Sequence, residues 1–251
     1  MQVALARKLV AEGLGTALLV AAVIGSGIMA QHLARDPAVA LLCNTLATGG
    51  ALVAVLLMFG PISGAQLNPA ITVCMAVTRD IPPRVAAGYI VVQIAGAFAG
   101  AMIANAMFDL DVITLSTTVR AGFPRLLSEA VATFGLIGVV ICVGRTRSSI
   151  APLAVAAYIT AAYWFTASTS FANPAVTVGR ALSNTYAGIR PVDVVGFVGA
   201  QAVGATLGAV LFGWLVPSSS LARGGSSLGR RASPLGEVGE LAVPREARSD
   251  L

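Results

Sequence analysis

Six long apolar stretches, near residues 9–31, 38–59, 85–107, 126–144, 150–168 and 194–216, constrain this chain more than any other feature. A bilayer core of about 30 Å takes about 20 apolar residues per helix, and each stretch reaches that length, the fourth and fifth narrowly. In water such segments would lack a polar cover: 57% of the 251 residues are apolar and 11% are charged, against about 25% charged in soluble proteins. Nine of the 27 charges lie in residues 217–251, which leaves eighteen for the first 216. That balance excludes a cytosolic globular enzyme, a disordered chain and a disulfide-stapled secreted fold. It requires an integral membrane protein.

The remaining bulk features fit this frame. Cys43, Cys74 and Cys142 sit inside apolar stretches without CxxC spacing, as small core hydrophobes do. His32 is the single His, so neither a metal site nor a cofactor is expected. The net charge of +5 does not imply nucleic acid, because five of the sixteen basic residues lie in the tail and the others flank spans. With the N-terminus in the cytoplasm, Arg7, Lys8, Arg79, Arg84, Arg145 and Arg147 fall inside. Arg35, Arg120, Arg125, Arg180 and Arg190 then fall outside. The tail arginines add to the inner side, so both termini are expected to be cytoplasmic in a multi-pass protein of the cell membrane. The first apolar run is of spanning length and lacks a cleavage site, so no cleavable signal peptide is expected. Residues 1–216 read as one membrane domain and 217–251, rich in Ser, Gly, Arg, Pro and Glu, as a disordered tail.

The membrane domain repeats itself. Asn68-Pro69-Ala70-Ile71-Thr72-Val73 matches Asn173-Pro174-Ala175-Val176-Thr177-Val178, Gln93-x-x-Gly96-Ala97 matches Gln201-x-x-Gly204-Ala205, and Glu12 matches Glu129. The pairs keep one order at offsets of 105, 108 and 117 residues, as an old duplication with drifting loop lengths would leave them. Repeat one covers about 5–107 and repeat two about 122–216. Three spans per half is an odd number, so the second half enters the membrane from the opposite side, giving an inverted repeat.

Each Asn-Pro-Ala opens an apolar segment of about ten residues, too short to span. Asn is a favoured helix N-cap, and Pro suits the first helical position, where its missing N–H costs nothing. Ten helical residues cover about 15 Å, half of the hydrocarbon core. Two such half-helices entering from opposite faces meet at the midplane as a seventh, broken span. Irregular backbone at that depth must be buried in protein or line a water-filled cavity, so Gly60–Leu67 and Thr169–Ala172 are expected to line a pore with their carbonyls. The asparagine oxygens would cap backbone N–H groups and leave the amide NH₂ to donate into the lumen. The helix N-termini add partial positive charge there. Cations meet a barrier, while a neutral hydroxylated solute finds donors at the centre and acceptors on either side.

On these residues, together with Ser63-Gly64-Ala65-Gln66-Leu67 before the first motif, the chain resembles the major intrinsic proteins, the aquaporin and aquaglyceroporin family. The resemblance covers about residues 5–216. It implies an all-α membrane fold with six transmembrane helices plus two half-helices, one pore per protomer and a homotetramer. It also implies that Glu12 and Glu129 are buried structural acids that orient the pore loops. By family spacing, the selectivity filter falls on Thr48, Ala161, Ser170 and Val176. Where the family pattern places Arg, this chain has Val176, and an arginine follows one turn later as Arg180, expected at the outer vestibule or at the membrane interface. These four filter residues predict a wide, uncharged, weakly polar constriction. The pattern is similar to a bacterial subgroup linked with arsenic resistance, in which Val also replaces the Arg; the resemblance implies passage of arsenite, methylated arsenicals or glycerol-like polyols with some water. Two alternatives stay open: an inverted-repeat secondary transporter using Glu12 and Glu129, and a plain water channel. No nucleophile–base–acid set for an enzyme can be assembled.

Overall fold

The computed structural model describes residues 3–217. The expected tail, residues 217–251, lies outside the described residues except for Pro217. Eight α-helices are formed in this region: α1 Leu5–Leu33, α2 Pro37–Ser63, α3 Pro69–Val77, α4 Pro83–Met107, α5 Phe123–Thr146, α6 Ala151–Phe165, α7 Pro174–Arg180 and α8 Pro191–Leu215. A short 3₁₀ turn, Ser148–Ile150, leads into α6. Six of these helical segments have the length and apolar character of membrane spans, and α3 and α7 are the two half-helices at nine and seven residues. α3 stops at the polar run Thr78-Arg79-Asp80, and α7 stops at Arg180, two residues short of Ser183-Asn184, so both are shorter than the ten residues expected. Proline at the first or second position marks the start of every helix except α1, and Asp36 adds a side-chain cap to α2 through Ala38 N at 2.7 Å.

The halves are built on one packing device. A Cβ placed on Gly96 of α4 would lie 2.1 Å from Gly13 O of α1, and one on Gly100 would lie 2.3 Å from Ala17 O. In the second half, Gly204 of α8 stands in the same relation to Ala130 O of α5 at 2.1 Å, with Gly208 next to Phe134 O at 2.9 Å. Both are small-xxx-small seams that let two backbones touch where lipid supplies no hydrophobic drive for association. The half-helices cross between halves: Gly179 of α7 lies against Ala97 of α4. Large apolar residues such as Leu46, Val91, Val195 and Trp214 remain exposed around the outside, as lipid-facing positions require.

One expected loop begins later than the sequence suggests. Gly60–Ser63 are the last turn of α2, despite Pro61, and the helix ends at Gly64 in the left-handed region with φ 92°. The non-helical lining on that side is therefore Gly64–Leu67.

Candidate functional site

The site begins with two buried carboxylates. Glu12 of α1 is fully buried. It accepts Ser63 Oγ at 2.6 Å and Gln66 N at 2.9 Å on Oε1, and Leu67 N at 2.7 Å and Gln93 Nε2 at 2.8 Å on Oε2. Glu129 of α5, also fully buried, accepts Phe171 N and Ala172 N, both at 2.9 Å, and Gln201 Nε2 at 2.6 Å. Gln93 and Gln201 are themselves bound to Thr72 and Thr177 of the half-helices at 3.0 and 2.9 Å. Because a trans peptide points its C=O opposite to its N–H, each carboxylate that gathers two N–H groups turns the preceding carbonyls, Ala65 and Gln66 or Ser170 and Phe171, away from itself. Both loops line the central cavity. This arrangement needs left-handed backbone at Ala65, Leu67, Thr169, Ser170 and Ala172, with φ between 45° and 63°. Non-glycine residues adopt that region at about 1–3 kcal/mol each, and such strain persists only where the surroundings hold it.

The half-helix ends meet at the asparagines. Asn68 Oδ1 accepts Ala70 N at 2.8 Å, and Asn173 Oδ1 accepts Ala175 N at 2.9 Å and Val176 N at 3.3 Å. Pro69 and Pro174 open the helices, and Ala70 and Ala175 are buried behind them. The NH₂ groups are not both left to the lumen, as the sequence suggests. Asn68 Nδ2 donates to Ala172 O and Asn173 Nδ2 to Leu67 O, each at 2.8 Å. One hydrogen of each amide thus ties the two repeats together, and the second remains for a solute.

A single cavity of about 690 Å³ passes both asparagines, with Asp80, Arg145 and Ser148 along its wall beyond one and Phe171 and Arg180 beyond the other. At the first end, Arg145 lies 3.6 Å from Asp80 and donates to Val216 O at 2.6 Å. Toward the Arg180 end, Thr48, Ser170 and Val176 line the wall and are 2–5% exposed. Ala161 does not join them. It is exposed on the outer surface of α6, whose cavity face is Pro152, Val155, Ile159 and Tyr163, the i, i+3, i+4 stripe of one helix side. Tyr163 takes the expected place of Ala161 and donates its hydroxyl to Thr48 Oγ1 at 3.3 Å. Helical phase within α6 was the signal that could have found it.

Of the two places expected for Arg180, the membrane interface is excluded. Arg180 is 2% exposed and lines the cavity, so it does not snorkel to a membrane interface. Its guanidinium lies 3.4 Å above the Phe171 ring centroid and donates from Nε to Ala187 O. A second guanidinium, Arg120 from the loop between the repeats, stands 5.0 Å from the same ring. No sequence signal marked Arg120; its position comes from bonds to Gly188 O, Tyr186 O and Ser168 O at 2.7, 3.2 and 3.4 Å. The cavity wall here thus carries Tyr163, Phe171 and the Arg180 guanidinium beside Thr48, Ser170 and Val176, three of the four positions expected to make an uncharged constriction. No group of three or more metal-ligating side chains exists among the described residues.

The family model described as Major intrinsic protein matches residues 1–170. Aquaglyceroporin AqpS of Rhizobium meliloti is 50% identical over 212 residues, covering 84% of this chain and 91% of that protein. The chain belongs to the major intrinsic protein family. Aquaporin NIP2-1 of Oryza sativa is 33% identical over 193 residues, 74% of this chain and 64% of that longer relative. The crystal structure of the aquaglyceroporin from Plasmodium falciparum superimposes with a TM-score of 0.61 over 83% of this chain and 94% of that one, at 18% identity. That likeness carries the fold alone. As a major intrinsic protein, this chain is a multi-pass membrane protein with six apolar spans.

Proposed function

We propose that this protein is a passive channel for small neutral solutes, glycerol-like polyols and arsenite-type hydroxides among them, with some water. One observation carries the reading: a continuous cavity is lined by both Asn68 and Asn173 and by both carbonyl loops. Such a path offers a neutral solute donors at its centre and acceptors beside them, and offers a cation no acidic partner at the junction. The name aquaglyceroporin, borne by the relative with 50% identity, supports a solute larger than water. The working assembly is a homotetramer in the cell membrane with both termini cytoplasmic, one pore per protomer and no enzymatic role. Pore motifs are Asn68-Pro69-Ala70 and Asn173-Pro174-Ala175, the acids Glu12 and Glu129 are structural, and the filter comprises Thr48, Ser170, Val176, Tyr163 and Arg180.

The transporter alternative would use Glu12 and Glu129 as carriers, but their oxygens already accept four and three hydrogen bonds. Proteoliposomes test the choice. Glycerol flux linear in its gradient and indifferent to pH and sodium is expected; saturable, proton- or sodium-coupled flux would overturn the channel reading. Stopped-flow water permeability without any glycerol flux would leave a plain water channel.

A further inference from the structure

Buried charges are ordinarily paired, because desolvation of an unpaired ion costs several kcal/mol. Arg180 and Arg120 depart from that rule. Among the described residues, the ion pairs are Arg145–Asp80 and Arg190–Asp193, and neither involves these two guanidiniums. Their polar side-chain partners are backbone carbonyls, and both face the Phe171 ring. Burial, with Arg125 nearby, lowers the Arg120 guanidinium to about 10, which leaves it charged at neutral pH. Glu129 is the carboxylate behind Phe171, and its oxygens are taken by the loop N–H groups and Gln201.

Two polar atoms on this stretch of wall are buried without any hydrogen-bond partner: Nη1 of Arg180 and Oγ of Ser170. Both residues are 2% exposed, and both line the cavity. Either atom can donate, and an orphaned buried donor is unfavourable unless something fills it. A planar guanidinium with a free N–H, an unpartnered hydroxyl on the same cavity wall and a second guanidinium behind them on the Phe171 ring form a donor set that fits an oxygen-bearing anion.

We propose that Arg180 Nη1 and Ser170 Oγ, backed by Arg120, form a binding site for a small monovalent oxyanion within the pore, and that its occupancy obstructs neutral solute. The site rests on the channel reading, because obstruction requires that solute pass Arg180.

The probe is nitrate, with gluconate at equal ionic strength as the anion too large to enter. In proteoliposomes, nitrate should halve glycerol flux at a concentration of about 1–10 mM, the range of a weak charged contact, while gluconate leaves it unchanged. Arg180→Gln should raise the half-blocking concentration about tenfold or abolish the block. Arg180→Lys and Ser170→Ala should shift it by smaller factors, and Arg35→Gln, an exposed arginine outside the cavity, should not shift it. Nitrate acting no more than gluconate on the wild-type protein overturns the proposal, as does full block retained in Arg180→Gln. If Arg180→Gln does not fold, an unshifted block in both Arg180→Lys and Ser170→Ala overturns it equally. Absence of any glycerol flux in nitrate-free vesicles would instead refute the channel reading. Calorimetric titration of the detergent-solubilised wild type with nitrate would then decide the site, heat of binding supporting it and none overturning it.

Discussion

Glu129→Gln isolates the device that shapes the second pore loop. In its better orientation, the new amide keeps its oxygen toward Ala172 N and Gln201 Nε2 and presents its NH₂ to Phe171 N. Phe171 N–H then faces a donor inside the protein, at about 1–3 kcal/mol. The two surviving bonds fall from charge-assisted to neutral strength, losing about 1 kcal/mol each. The total is about 3–5 kcal/mol, comparable to the strain of left-handed Thr169, Ser170 and Ala172, about 1–3 kcal/mol apiece. The loop should leave its conformation and rotate the Ser170 and Phe171 carbonyls off the lumen. Glycerol and water flux in proteoliposomes should both fall about tenfold or more, corresponding to about 1.4 kcal/mol on the barrier. The melting temperature in detergent should drop by about 10 °C. Wild-type flux together with an unchanged melting temperature would refute the reasoning. A variant that kept its melting temperature and lost only a pH dependence would point to a proton carrier instead.

Val176→Arg places another guanidinium in the lumen one turn from Arg180, so the ratio of glycerol to water flux should fall about tenfold in parallel swelling and stopped-flow measurements. Asn68→Ala removes both a helix cap and the bond to Ala172 O, and thermal unfolding should register a loss of about 2 kcal/mol. Gly204→Ala drives a methyl into the Ala130 carbonyl; with backbone as the obstacle the α5–α8 seam must open, and the cost by the same assay should be about 1–3 kcal/mol. Asp80→Asn breaks a partly exposed ion pair at 3.6 Å, worth at most about 1 kcal/mol, so its melting temperature should stay within about 4 °C of wild type.

Length and periodicity made the spans, the half-helices and the inverted repeat legible, since a bilayer admits few alternatives for backbone polar groups. The loop-orienting part of Glu12 and Glu129 came from the family resemblance, whereas Gln93 and Gln201 stood out only as repeated residues and their bonds to the acids appear in the fold alone. The filter was not legible. Ala161 is reached by counting back from Asn173 through Thr166–Ala172, a non-helical run with three left-handed residues, and such a run erases the rotational phase of α6. Arg180 shows the same limit from the other side: its register on α7 is plain, but only Phe171 and the Ala187 carbonyl decide that it stays buried. Arg120 arrives on a connector whose path is set by long-range backbone bonds such as Ser116 N to Ala181 O at 3.0 Å, and nothing local announces it.

The exchanged amide bonds between Asn68 and Ala172 and between Asn173 and Leu67 have a mechanical corollary. Either repeat alone would be an unfinished wall, since its inner turn is fastened by its sister's side chain. A clasp closed in both directions at the waist resists rocking of one half against the other, the motion that alternating access demands.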